Sequence, residues 1–69
     1  MTQKELLYTE DAVKHESNII SILDYMENNL EDEDLVTFVK DEIKSHNKTK
    51  KELMNLLKEN VNDWSSNVR

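Results

Sequence analysis

The chain has 69 residues and contains no glycine, no proline and no cysteine. Tight hairpin turns of types I′ and II′ draw on glycine, so its absence argues against a fold built from β-hairpins. Helices lose nothing by these absences, because glycine and proline both destabilise a helix interior. Without cysteine, disulfides and thiolate metal sites are excluded. The composition therefore predicts an all-α protein.

Long apolar runs are also missing, and positive charge is scarce in the first half of the chain. No stretch approaches the roughly 20 apolar residues that cross a bilayer, and the first residues lack the apolar core of a signal peptide. We therefore expect cytoplasmic synthesis and no membrane span. Residues 1–34 carry a net charge of −8 and residues 35–69 a net charge of +2. Because nucleic-acid affinity comes largely from basic side chains, no nucleic-acid partner is expected.

The first half of the chain predicts a helix over about residues 3–28. Thr2 and Glu5 have the spacing of a capping box, in which each side chain bonds the backbone N–H of the other residue. Apolar residues then recur at helical spacing on two adjacent stripes. One stripe contains Tyr8, Ala12, Ile19, Ile22 and Met26, and the other contains Leu6, Val13, Ile20 and Leu23. Together they form a face wider than a single partner helix needs.

A turn is predicted at about residues 29–32, where the apolar pattern stops. Asparagine tolerates the left-handed conformation that often ends a helix, which favours Asn28 or Asn29 at this point. Asp32 is the best candidate N-cap of the next helix, predicted over about residues 33–64. Its apolar positions include Leu35, Val39, Ile43, Leu53, Leu57, Val61 and Trp64. The last residues, 65–69, are expected to fray.

Residues 44–52 contain no apolar side chain, and two interpretations of this gap are open. Thr49 and Glu52 could form a second capping box, which would break the helix near residues 46–49 and give a three-helix bundle. Alternatively the helix continues, because the apolar stripe keeps its register across the gap. We predict the continuous helix.

The predicted fold is a single domain, a long antiparallel two-helix hairpin that dimerises into a four-helix bundle. A core of this size rarely supplies more than roughly 3–5 kcal/mol without disulfides, metal or oligomerisation. A homodimer or another homo-oligomer is therefore the expected state. The predicted interface residues are Tyr8, Ala12, Ile19, Ile22, Met26, Val39, Ile43, Leu53 and Leu57.

Both helices are polar in the middle, and each polar segment contains a histidine. His15 and His46 lie almost equally far from the turn and are expected to point inward at the same height. With Asp11 and Glu42, each four residues before a histidine on the same helix face, they are candidate ligands of a divalent metal. One alternative is a hydrogen-bonded polar layer that fixes the register, in which the two histidines bond with Glu16, Ser17, Asn18 and Ser45. The other is a partly solvated belt.

No arrangement of nucleophile, base and orienting group stands out, and there is no glycine-rich phosphate loop. We therefore expect no catalytic residues and no enzymatic activity. Apart from the divalent metal considered above, no cofactor is expected.

Residues 3–16, QKELLYTEDAVKHE, resemble the start of small spore coat protein F-like sequences, and so does EDEDL at residues 31–35 with the later His46 and the Leu53–Leu57 cluster. That family consists of ferritin-like helical proteins of spore-forming Gram-positive bacteria. The resemblance implies a structural component of the spore coat, with other coat proteins as partners. The full set of ferritin metal ligands is not recognisable, so the resemblance implies no enzymatic activity.

Three functions follow as hypotheses. The first is a non-enzymatic structural or interaction module that self-associates and is associated with the spore coat. The second is a small metal-binding protein built on the same four-helix bundle. The third is an acidic regulator that binds a partner helix.

Overall fold

The structure, a computed structural model, describes the backbone of residues 1–68 and the side chains of residues 1–60. It contains two helices, α1 over Gln3–Asn29 and α2 over Glu33–Val68, and no strand in this part of the chain. The helices pack against each other as a rod of 55 × 14 × 13 Å. The predicted all-α hairpin is confirmed, and α2 continues past residue 64, into the segment that was expected to fray. Within the described residues, neither helix is long and apolar enough to cross a membrane.

The start of α1 is fixed by the predicted capping box. The backbone N–H of Glu5 donates to Thr2 Oγ1 at 3.0 Å, and the backbone N–H of Thr2 donates to Glu5 Oε1 at 2.8 Å. The backbone hydrogen bond from Thr2 is the main reason why the pKa of Glu5 is lowered. Two of the N–H groups that a helix start leaves without partners are thereby satisfied.

The turn occupies residues 30–32, and its two ends are held by different groups. Asp32 Oδ1 accepts from the backbone N–H of Leu35 at 3.0 Å, so Asp32 caps α2 as predicted. Leu30 leaves α1 in an extended conformation, with φ −86° and ψ 141°, and no described residue has a positive φ. The expected left-handed asparagine is therefore wrong. Asn29 instead uses its side chain, which donates to the Tyr25 carbonyl at 2.7 Å.

α2 is continuous across residues 46–49, so the three-helix alternative is wrong. Thr49 does not cap a new helix. Its hydroxyl donates to the Ser45 carbonyl one turn earlier, at 3.2 Å. Threonine can bond back to the preceding turn in this way inside a helix, so the Thr49-x-x-Glu52 pattern imposes no break.

The contact between the helices follows a regular heptad, which we call the inner seam. Partly covered or buried side chains recur at alternating steps of three and four residues, the spacing of a coiled coil. On α1 they are Leu6, Thr9, Val13, Glu16, Ile20, Leu23, Glu27 and Leu30, and on α2 they are Val36, Val39, Ile43, His46, Lys50, Leu53, Leu57 and Asn60. Among the described side chains only Val39, 2% exposed, is fully buried. A single hairpin thus shields little of its apolar surface.

Candidate interaction face

A second series of positions lies beside the inner seam, each one residue before a seam residue, and we call it the outer face. On α1 it comprises Tyr8, Ala12, His15, Ile19, Ile22 and Met26, and on α2 it comprises Leu35, Phe38, Glu42, Ser45, Thr49, Glu52 and Leu56. Successive residues advance by about 100° around a right-handed helix. Because the two helices run in opposite directions and face each other, positions that precede the seam fall on the same side of the hairpin.

The outer face is where most of the exposed apolar side chains lie. Both Ile22 and Phe38 are 60% exposed, although each would be buried in most proteins of ordinary size. Seven large apolar residues of this face are exposed in all: Tyr8, Ile19, Ile22, Met26, Leu35, Phe38 and Leu56. Five of them lie in the half of the hairpin near the turn, and Tyr8 and Leu56 lie near the other end. Clusters of exposed apolar side chains such as the one beside the turn mark interaction sites in soluble proteins.

The opposite side of the hairpin differs in character. Of the described positions one residue after a seam residue, only Leu7 and Met54 are apolar, and the others include Ser21, Asp24 and Lys40. Lys40 Nζ lies 3.9 Å from Glu27 Oε1, a partly exposed pair at the seam edge. The hairpin therefore has one apolar and one polar side.

A shallow groove of about 310 Å³ opens on the polar side, toward the end remote from the turn. Its walls are the apolar side chains of Val13, Met54 and Leu57, flanked by Glu10 and Lys14. None of these residues is a nucleophilic hydroxyl or an imidazole, so the groove offers an apolar surface and no catalytic constellation.

The residues predicted to form the interface divide between the two surfaces. Val39, Ile43, Leu53 and Leu57 lie in the inner seam, where they hold α1 against α2. The remaining five lie on the outer face, where Ala12 is partly covered and the others are exposed: Tyr8, Ala12, Ile19, Ile22 and Met26. The α2 residues of the predicted set are thus used within one hairpin, and the α1 residues are available to another molecule.

The inner seam contains a polar layer at mid-height, formed by Glu16 and His46, and Glu42 of the outer face lies beside it. His46 Nδ1 lies 2.6 Å from Glu16 Oε2, across the two helices, and His46 Nε2 lies 3.6 Å from Glu42 Oε2, one turn away on α2. A carboxylate oxygen accepts hydrogen bonds, so this contact is a hydrogen bond in the tautomer that carries its hydrogen on Nδ1. The Glu16 and His46 side chains are 17% and 27% exposed, so solvent screens this bond only in part.

His15 does not take the inward position that was expected for it. It lies exposed on the outer face, and the neighbouring residue Glu16 takes the seam position opposite His46. The physical reason is that the stripe of Ala12, His15 and Ile19 is the outer one of the two stripes on α1.

Of the four predicted metal ligands, the structure brings together His46 and Glu42 and leaves Asp11 and His15 apart from them. Among the described residues, no ion pair within 4.0 Å joins Asp11 to His15, and no group of three or more histidine, aspartate and glutamate side chains has the arrangement of a metal site. The two carboxylates beside His46 approach different ring nitrogens, so they do not converge on one point.

Glu16 was expected among the polar residues near the two histidines, and its position directly opposite His46 was not predicted. Its spacing was informative, because Glu16 lies between Val13 and Ile20 at steps of three and four residues. His15 was expected to hold the inward position at this height.

No protein-family model, curated protein or solved structure matches the chain.

Proposed function

We propose that this chain is a non-enzymatic interaction module that self-associates through its outer face, forming a four-helix bundle from two hairpins. The observation that carries the proposal is the exposure of seven large apolar side chains on one side of a hairpin in which, among the described residues, only Val39 is fully buried. A second copy brings a surface of the same apolar character and length. The same patch on both copies is what a two-fold symmetric dimer requires.

The size of the outer face is adequate for a stable dimer. α1 has 27 residues, and the paired part of the hairpin has the same length. At about 1.5 Å per residue and about 10 Å of width per helix, the face covers roughly 800 Å², which is the area that each partner buries in a specific interface of standard size.

The free energy of apolar burial also favours a dimer. Burying a fully exposed large apolar side chain contributes about 1.5–3 kcal/mol. The seven of the outer face are 37–62% exposed, so their partial contributions in two copies add up to a sum that exceeds the cost of association. In a chain of this length, the seam of a single hairpin supplies little stability on its own.

The absence of catalysis is part of the proposal and rests on the character of the two surfaces. The outer face has no cavity-forming loop, since the two helices are joined by three residues, and the groove on the other side is lined chiefly by apolar side chains. An active site normally requires a concave pocket with convergent polar groups.

Other hypotheses from the sequence remain predictions beside this one. Location at a spore coat and contact with other coat proteins rest on the family resemblance. Metal binding by Asp11, His15, Glu42 and His46 would require an assembly that brings the exposed histidine toward a partner. Binding of a basic helix by an acidic regulator would use the same outer face.

Two matched variants test the proposal. Ile22 and Tyr25 lie on adjacent turns near the C-terminal end of α1, and their side chains are 60% and 71% exposed. Only Ile22 lies on the outer face. Ile22→Lys should raise the dissociation constant of the dimer at least 100-fold, because about 1.5–3 kcal/mol of burial is lost in each copy. Tyr25→Lys should leave it within a few-fold.

The readout is the dependence of the melting temperature on protein concentration, which a dimer shows and a monomer does not. The proposal predicts a melting temperature that rises with concentration in the natural chain and in Tyr25→Lys, and a lower one in Ile22→Lys. A melting temperature independent of concentration in the natural chain, with equal behaviour of both variants, would overturn self-association.

A further inference from the structure

We infer that the two hairpins of the dimer lie antiparallel, with the turn of each copy beside the chain ends of the other. This inference rests on the proposed function and adds the orientation of the partner. Its basis is the distribution of charge along the rod. Residues 24–42, which surround the turn, carry eight acidic side chains and one lysine, a net charge of −7. The rest of the chain has a net charge of +1.

The positive charge of the other half is concentrated on α2. Residues 43–58 contain five lysines and one glutamate, a net charge of +4. These residues follow the polar layer and run away from the turn, as the Glu16–His46 contact shows. The hairpin is thus an electrical dipole, acidic at the turn and basic toward the far end of α2.

Two orientations would cover the outer face equally well. If the hairpins overlap along their whole length, the same seven exposed apolar side chains per copy are covered whether the copies are parallel or antiparallel. The covered apolar area is therefore equal in the two arrangements, although a parallel dimer would pack the two clusters beside the turns on each other. The charge distribution opposes that arrangement and favours the antiparallel one. A parallel dimer places two segments of net charge −7 at the same end of the bundle, whereas an antiparallel dimer places each of them at the level of the partner's segment of net charge +4. Complementary potentials fix orientation in this way at protein interfaces.

The antiparallel arrangement also determines which residues of the two copies meet at the centre of the dimer. The middle of α1 is near residue 16, so the two-fold axis passes close to His15, with Ser45 and Thr49 on the neighbouring helix. Together with Glu42 and Glu52, these are the polar positions of the outer face. Each copy then contributes its polar centre to the same point, and the apolar cluster beside the turn packs on the Tyr8 and Leu56 end of the partner.

Distances between spin labels distinguish the two orientations, and the absence of cysteine allows a single label to be placed cleanly. A label on Glu31→Cys, in the exposed turn, should give a distance between copies of about 45 Å, because each turn lies about fifteen residues from the centre and a helix rises about 1.5 Å per residue. A parallel dimer would give about 10–25 Å, since adjacent helices lie about 8–10 Å apart. Asn18→Cys, exposed near the centre, is the control and should give a short distance in either case.

Each result of the experiment has a definite consequence. A long turn-to-turn distance with a short central distance supports the antiparallel dimer. Short distances at both positions overturn the orientation and leave self-association intact. The absence of any dipolar coupling for the central label, at concentrations where the natural chain should be dimeric, overturns the proposed function together with the orientation.

Discussion

At the scale of single residues, the contact between Glu16 and His46 is the most specific interaction in the hairpin. It joins the two helices at mid-height, where both are otherwise polar, and it is one of the few seam contacts with a directional bond. A polar pair at seam positions of a coiled coil fixes the register at some cost in stability. We therefore interpret this pair as a device for alignment, since an apolar pair of similar size would pack at least as well.

Substitution of the pair tests this interpretation. His46→Leu alone should lower the free energy of unfolding by about 1–3 kcal/mol, because it leaves the partly covered Glu16 carboxylate without its partner. Glu16→Leu with His46→Leu should restore most or all of the loss, since no polar group is then left unpaired. Chemical denaturation of the two single variants and the double variant measures the coupling, with Asn47→Leu, on the exposed side of α2, as the control. Additive effects of the two single substitutions would contradict the account.

The same pair shows how far single residues could be predicted from the sequence. The height of the polar layer followed from counting residues away from the turn, and His46 was correctly expected to point toward α1. The identity of its partner was not predictable by counting. His15 and Glu16 are adjacent, both stripes of α1 have heptad spacing, and only the packing of α1 on α2 determines which of the two residues faces inward.

At the scale of the helices, the sequence predicted where each helix begins better than it predicted which face of each helix is buried. The caps at Thr2 and Asp32 depend on residues within three positions of each other, so local sequence was sufficient. The manner in which α1 ends was not predicted, because Leu30 is extended and partly covered at the seam, a conformation that asparagine spacing does not indicate. The spacing of Thr49 and Glu52 also suggested a break in the helix. α2 is continuous there, as the unbroken register of its apolar stripe predicted.

The start of α1 should respond to pH in a defined direction. Hydrogen bonds from Thr2 lower the pKa of Glu5 below the value of 4.5 that applies to the unfolded chain. A lowered pKa in the folded state means that the stabilisation is complete above the unfolded value and is lost as the pH falls through the folded value. Acidification should therefore loosen the first turn of α1.

Nuclear magnetic resonance titration of the Glu5 carboxyl group measures this effect. Thr2→Ala removes the hydroxyl and keeps the backbone N–H that donates to Glu5, so the pKa of Glu5 should rise only in part toward its ordinary value. Gln3→Ala is the control, because it leaves both hydrogen bonds of the capping box in place. A pKa of Glu5 that is not lowered in the natural chain would mean that the capping box is not formed in solution.

At the scale of the whole molecule, the hairpin is a rod of 55 × 14 × 13 Å with an apolar and a polar side. The width of the apolar pattern on α1 predicted this excess surface, since two adjacent stripes exceed what one partner helix covers. Its position on the hairpin was not predicted, because both stripes of α1 are apolar and His15, on the stripe that turns out to be exposed, was expected to point inward. The separation of charge along the rod could not be predicted without the fold either, because it arises only when the turn brings residues 24–42 to one end of the hairpin.

The central claim is that the outer face is covered by a second copy, and the most direct test is the mass of the natural chain in solution. Sedimentation equilibrium from low to high micromolar concentration should give a mass approaching twice the 8.2 kDa of one chain. The mass should decrease on dilution, and helicity should decrease with it, because a lone hairpin buries too little apolar surface. A fully helical, stable species of 8.2 kDa at all of these concentrations would contradict the account.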